Sequence, residues 1–160
     1  MKILLPIDRS NFSEEALKTV VSLVRPKRHQ VHVLHVIEHG SVYLSADIVP
    51  HRVKETVQMK RDEQAEARAL VDRAATKLRR AGLAATGIVE SGDAKSVILD
   101  YAGKWGADLI VIGSHGLKGL SRVLMGSVSD AVVQKARCSV QVVRMPAGRA
   151  QGKRRPRAGR

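Results

Sequence analysis

A chain of 160 residues has room for one ordinary domain, since a chain of this size can bury roughly 70% of the surface it exposes when unfolded. Its composition, 44% hydrophobic and 27% charged but only 2% aromatic, requires an aliphatic core of Val, Leu, Ile and Ala. No apolar run approaches the ~18 residues of a membrane span, and a single cysteine, Cys138, excludes an internal disulfide and a multi-cysteine metal site.

The net charge of +13 is unevenly spread. Residues 146–160 carry six Lys and Arg and no acid, leaving 22 basic against 15 acidic side chains in the rest, or +7. With no apolar periodicity and many Gly, Pro and Arg, 146–160 reads as a disordered basic tail behind a domain of residues 1–145.

In chain order, "KILLPI" (2–7) is a short aliphatic run that reads as a buried strand leading into a helix. Pro6 and Asp8 interrupt it before a signal-peptide core can form, which makes a soluble cytoplasmic protein the expectation. Ser10 or Ser13 can cap the helix, with Glu14 and Glu15 in the first turn; Ala16, Leu17, Val20, Val21 and Val24 repeat at helical spacing up to Pro26. "QVHVLHVI" (30–37) is a second strand, followed by an irregular stretch to about Pro50 whose Tyr43 and Asp47 belong either to a lid or to a plain surface loop. Residues 52–81 form one long helix that stops at Gly82, with Val53, Val57, Ala67, Leu70, Val71, Ala74 and Leu78 as its packing stripe. A weaker strand covers 83–90, "SGDAKSVILDYAGKWG" is a turn and a helix, and "ADLIVIG" (107–113) is the most apolar strand. A helix near 126–137 and the strand "SVQVVR" (139–144) complete the domain. Cys138 between them reads as a small buried apolar residue.

Strands alternating with helices imply a mainly parallel sheet, helices on both faces and right-handed crossovers. Such sheets take ligands outside the carboxyl ends of their strands, which directs attention to the loops after Ile7, Ile37 and Gly113. The last of these is unusual: "VIGSHGLKGLSRVLMGSVSDAV" (111–132) holds four glycines and four serines between two apolar stretches. A strand, a glycine loop and a helix N-terminus together place unpaired N–H groups at a positive dipole end, a site for anions such as phosphate. Ser127 and Ser129 can add hydroxyl donors. The other reading is that the glycines only make turns and a serine only caps the helix. The stretch lacks the Gly-Lys-Ser/Thr of a Walker A loop, and Gly113, Gly116 and Gly119 lack G-x-G-x-x-G spacing.

Gly-x2-Gly-x9-Gly-Ser after an Asp-Leu-Ile-Val-x-Gly strand resembles the nucleotide-binding signature of the universal stress protein family. "KILLPIDRSNFSEEAL", "VHVLHV" and "SGDAKSVILDYAGKWGADLIVIGSHG" are similar to further stretches of that family, so the likeness covers residues 1 to about 144. It implies a five-stranded Rossmann-like parallel sheet of the HUP type with strand order 3-2-1-4-5, a homodimer joined through the last strand, and ATP, accompanied by Mg, as ligand. Carried over by position, Gly113, Ser114, Gly116, Gly126, Ser127, Val128 and Ser129 would surround ribose and phosphates, and Pro6, Ile7, Asp8 and Val36 would line the adenosine end. Asp8 would bond a polar edge of the nucleoside or an ion, or else simply form the turn after its strand. Ser139 departs from the proline that often follows this cysteine in the family, which bears on pairing of the last strand.

His32, His35 and His39 do not form a metal set, because His32 and His35 point to opposite faces of a strand and no cysteine or acidic cluster joins them. His35 is expected in the core or at the pocket edge, and His115 in a loop near the phosphates. Lys118 and Arg122 could neutralise phosphate charge, but no second carboxylate motif accompanies them, so slow ATP hydrolysis is conceivable and efficient turnover is not indicated. The sequence therefore points to a nucleotide-responsive regulator in stress response without catalytic residues. A slow ATP-hydrolysing enzyme is one alternative; another is a nucleic-acid-associated protein, its basic tail making weak, salt-sensitive phosphate contacts without aromatic stacking.

Overall fold

The computed structural model describes residues 1–23, 29–38, 50–116 and 125–145, the side chains of 50–56 excepted. Five strands form one parallel sheet in the order β3-β2-β1-β4-β5, where β1 is Lys2–Pro6, β2 Gln30–Ile37, β3 Ala84–Ser91, β4 Leu109–Gly113 and β5 Ser139–Val143. The connecting helices are α1 (Asn11–Leu23), α2 (Pro50–Arg80), α3 (Ala94–Trp105) and α4 (Ser127–Lys135). The expected architecture and strand order are those observed.

The central strands are continuous aliphatic runs because both of their faces are covered. Alternate residues feed two cores: Ile3, Leu5, Val31, Val33 and Val111 pack with α1 and α2, while Leu4, Leu34, Ile110 and Ile112 pack with α3 and α4. The two histidines of β2 divide in the same way. His32 stacks on Trp105 of α3, ring centroids 3.7 Å apart, with Nδ1 2.7 Å from the Tyr101 hydroxyl. The ring of His35 turns instead toward Ile7.

Ser10 is the cap of α1, since its Oγ accepts from the Ser13 amide at 3.3 Å. The expected continuation of α1 to Val24 and Pro26 lies outside the described residues, as do Tyr43, Asp47 and the 146–160 tail. α2 begins two residues before the expected start. Among the described side chains its packing face begins at Ala67, residues 57–66 being exposed; Val57, assigned above to the stripe, faces solvent, and the side chain of Val53 lies outside the described residues. The helix outruns the sheet it covers. It ends where Gly82, at φ 85°, takes the left-handed conformation that lets Leu83 N–H close back on the Leu78 carbonyl. β4 begins at Leu109 rather than 107 because Ala107 N–H is spent closing the end of α3 on Ala102. On the edge strand β3, the carbonyls of Ala85 and Gly87 accept from Arg79 and Arg68 of α2 at 2.8 and 3.3 Å. Cys138 is half-buried rather than enclosed, and burial, with a smaller contribution from Asp108, pushes its thiol pKa up.

Candidate functional site

The carboxyl ends of β1, β2 and β4 open into a cavity of about 500 Å³, within the range of small-molecule sites. Crossovers leave the sheet in opposite directions on either side of β1, which parts the loops and makes this opening. Pro6, Ile7 and Asp8 of the β1 end, Val36 of β2, Gly113 and Gly116 of the loop after β4, and Gly126, Ser127, Val128 and Ser129 at the start of α4 all line it. The cavity therefore takes in every residue carried over above from the family's signature except Ser114.

Ser114 is buried and serves the loop itself. Its N–H donates to the Val143 carbonyl (2.7 Å), its carbonyl accepts from Gly126 N–H (2.8 Å), and its Oγ lies 3.1 Å from His115 Nδ1. Ser129 is also committed, donating its hydroxyl proton to the Gly113 carbonyl at 2.7 Å inside the protein. Ser127, in contrast, is exposed at the first position of α4. The helix starts on Gly126, which supplies no capping side chain. The first backbone N–H groups of an α-helix have no intrahelical partner, so this end of the cavity offers donors and a positive dipole end to an anion.

At two of the three glycines the place of the missing Cβ is taken by protein, and at Gly126 it is tightly bounded. A Cβ on Gly113 would fall 2.8 Å from Phe12 Cβ and 2.9 Å from Phe12 C; one on Gly116 would meet Asp8 Oδ2 at 2.8 Å; one on Gly126 would lie 3.3 Å from His115 Cα. The glycines thus serve close packing of the loop against α1 and the β1 end, as the turn reading has it, and the Gly126 N–H is itself taken by the Ser114 carbonyl.

Asp8 sits on the wall and also builds the turn. Its Oδ1 accepts from Ser10 N–H (2.9 Å), from the Ser10 hydroxyl and from the Ser13 hydroxyl (2.7 Å), while its own N–H donates to Ser13 Oγ at 2.8 Å. Beside it the Ile7 carbonyl accepts from His35 Nδ1 at 2.8 Å, which requires the proton to be on Nδ1. The wall facing the glycine loop comes from elements the sequence reading did not assign to the site. Asp93 caps α3 by accepting from Ser96 N–H (3.0 Å) and hydroxyl (2.8 Å), bonds that hold its carboxyl below the ordinary range, the backbone bond foremost. Glu38 accepts from Ala94 N–H at 3.3 Å, tying the end of β2 to the start of α3. Lys95 and Ile98 complete this side. The Ser-Gly-Asp-x-x-Ser cap was readable as a helix start, but its meeting with the end of β2 follows only from the strand order.

Lys118 and Arg122 lie outside the described residues. Among the described residues no cluster of three or more His, Cys, Asp or Glu could hold a metal ion, and no helix is long and apolar enough to cross a membrane.

The profile of the universal stress protein family matches residues 1–144. The chain belongs to the universal stress protein family. The universal stress protein Sll1388 of Synechocystis is 33% identical over 89% of this chain and 96% of its own length. Among solved structures, MJ0577 of Methanocaldococcus jannaschii superposes with a TM-score of 0.75 at 32% identity, covering 90% of this chain and 95% of that one. More distant universal stress proteins share the fold: one from Arabidopsis thaliana, solved with AMP bound, at TM-score 0.68 and 18% identity over 96% of this chain and 97% of its own, and one solved in complex with cAMP, at TM-score 0.65 and 17% identity over 90% and 96%.

Proposed function

We propose that this universal stress protein binds ATP, with Mg²⁺ accompanying the phosphates, and acts as a cytoplasmic regulator whose occupancy changes its assembly or partners. The observation that carries the reading is the uncapped start of α4 at Gly126, set against the glycine loop at one end of a cavity of nucleotide size. Phosphates take the amides of 127–129 and the Ser127 hydroxyl; the apolar wall of Ile7, Val36 and Ile98 takes the base and sugar. Distant relatives holding AMP and cAMP support a nucleotide as the ligand class. Asp8 and Asp93 on the wall are tied into a turn and a helix cap, which favours retention of a ligand over turnover.

Assembly as a homodimer through β5 is part of the proposal. β5 is an edge strand whose Val140 and Val142 are only partly covered, while the other edge strand, β3, has carbonyls taken by arginines.

Calorimetric titration of the purified protein with ATP and Mg²⁺, after assay for nucleotide carried through purification, tests the reading. Saturable one-site binding or ATP already aboard supports it. Tighter binding of AMP or cAMP than of ATP replaces the ligand while keeping the site, and no binding of any of the three by a folded sample overturns it.

A further inference from the structure

β3 is the outer strand on its side of the sheet, and its pairing with β2 fixes which of its peptide groups face outward. Gly92 N–H donates to the Ile37 carbonyl at 3.0 Å, and Ile37 stands in register with Ser91. Peptide groups alternate between the two sides of a strand. The even-numbered residues of β3 therefore turn to β2, and Ala85, Gly87 and Val89 turn their N–H and C=O groups to the open edge. Such a row is a template for another strand.

Two of its three carbonyls are closed by side chains of α2. Arg79 Nη1 donates to the Ala85 carbonyl at 2.8 Å while its Nη2 donates to Thr76 Oγ1 at 3.0 Å. Arg68 Nη1 donates to the Gly87 carbonyl at 3.3 Å while its Nε donates to Asp72 Oδ2 at 3.2 Å. Each guanidinium is thus held on its own helix as well as on the strand. Gly87 makes the second arrangement possible: a Cβ there would fall 2.8 Å from Val71 Cγ2 and 3.1 Å from Asp72 Oδ1, so bare backbone lets this turn of α2 lie close enough for Arg68 to reach over the edge. An exposed ion pair such as that of Arg68 with Asp72 contributes little to stability. The consequence of these bonds lies in what they keep out.

We infer that Arg68 and Arg79 guard a latent self-pairing edge: without them, β3 of one copy adds to β3 of a second copy, antiparallel about a two-fold axis at Gly87. The partner follows from the symmetry of the open groups. Residues 85, 87 and 89 of one copy fall opposite 89, 87 and 85 of the other, so every outward N–H meets an outward carbonyl of the same three residues in an isologous contact. With the guanidiniums in place, the Val89 carbonyl is the one acceptor of the three left open on each copy, and the two Arg68 charges meet near the axis. The inference is independent of the nucleotide reading and bears on the β5 dimer only by closing the opposite edge.

The test is the mass of the protein by analytical ultracentrifugation over a range of concentrations, with fold checked by circular dichroism and thermal unfolding. Arg68→Ala/Arg79→Ala removes both caps from a helix in which Ala is well tolerated. Arg73→Ala/Arg80→Ala makes the same change of charge at exposed arginines of α2 that hold no partner among the described residues. Val89→Pro, added to the first pair, removes an outward donor while leaving the ladder to β2 intact. Whatever the mass of the unmodified protein, Arg68→Ala/Arg79→Ala should rise with concentration toward about twice that mass; Arg73→Ala/Arg80→Ala should not, and Val89→Pro should cancel the rise. A folded Arg68→Ala/Arg79→Ala protein with the unmodified mass at every concentration would overturn the inference, as would a rise that Arg73→Ala/Arg80→Ala reproduces or that survives Val89→Pro. If the double variant does not fold, Arg68→Ala and Arg79→Ala singly are judged by the same outcomes. A monomeric unmodified protein would count against the β5 dimer alone.

Discussion

Replacing Ser127 by Glu sets helix stability and anion binding against each other. Ser127 is the exposed first residue of α4, on a helix whose cap, Gly126, has no side chain. A carboxylate in a helix's first turn meets the positive dipole end and stabilises by about 0.3–1 kcal/mol at an exposed position. The same carboxylate stands where we place the phosphates. Two like charges about 4 Å apart repel by about 4 kcal/mol at an effective dielectric constant of 20; solvent at this exposed position reduces that to about 1 kcal/mol, a loss of about fivefold in affinity. Thermal unfolding together with calorimetric titration of ATP and Mg²⁺ separates the two effects: the midpoint holds or rises while affinity falls, and falls less in high salt. Unchanged affinity in a protein with an unchanged or raised midpoint would refute placement of the anion at α4. A larger residue at Gly126 is a poorer probe, because its Cβ would press on His115 Cα and the Ser114 carbonyl, each at 3.3 Å, and so would disturb the loop whatever binds there.

Ser129→Ala removes the hydroxyl that holds the Gly113 carbonyl inside the protein and should cost about 1–2 kcal/mol in denaturant unfolding, whereas Ser127→Ala should leave stability within about 0.5 kcal/mol; equal effects would show that the Ser129 bond does not hold the loop. At the other end of the sheet, burial foremost and the Lys2 ammonium second hold the pKa of His32 below its ordinary 6.5. Between that value and the lowered one the unfolded chain binds more protons, so stability is fully present above pH 6.5 and is lost as pH falls through the lowered pKa. His32→Phe, which keeps a ring against Trp105, the single tryptophan, should flatten this part of a thermal-midpoint profile followed by tryptophan fluorescence; identical profiles would sink the assignment.

What was legible in the sequence was whatever depends on local pattern. Aliphatic runs at 2–7, 30–37 and 107–113 announced strands covered on both faces, and their alternation with amphipathic segments announced the parallel sheet. The boundaries moved where a tertiary bond intervened, as at Ala107, whose N–H closes α3 and delays β4. Val57 stayed exposed because helical periodicity says which side of α2 is apolar, not how far the sheet beneath it extends. In the site, the glycine loop and the β1 end could be read directly. Asp93, Lys95 and Ile98 could not, because their arrival opposite the loop depends on which strand α3 crosses. Hydroxyl roles were equally hidden: Ser127 and Ser129 are two residues apart, yet one meets solvent and the other a buried carbonyl.

The spacing of the glycines makes physical sense as packing before it does as recognition. Gly113 lets the first turn of α1 lie directly on the end of β4, with Phe12 where a Cβ would be; Gly116 lets the loop reach Asp8; Gly126 lets the start of α4 close on the loop through the bond between its N–H and the Ser114 carbonyl. Asp8, drawn to Ser10 and Ser13, shapes the turn that these contacts require. Three segments distant in sequence are thereby pressed together until the helix begins on a residue with no side chain to cap it. Its first amides are left facing the cavity, and a capping side chain there would remove the donors that an anion needs. The same absence of side chains that permits the close packing therefore leaves the surface on which we place the anion, so that one glycine pattern would serve both the fold and the proposed ligand.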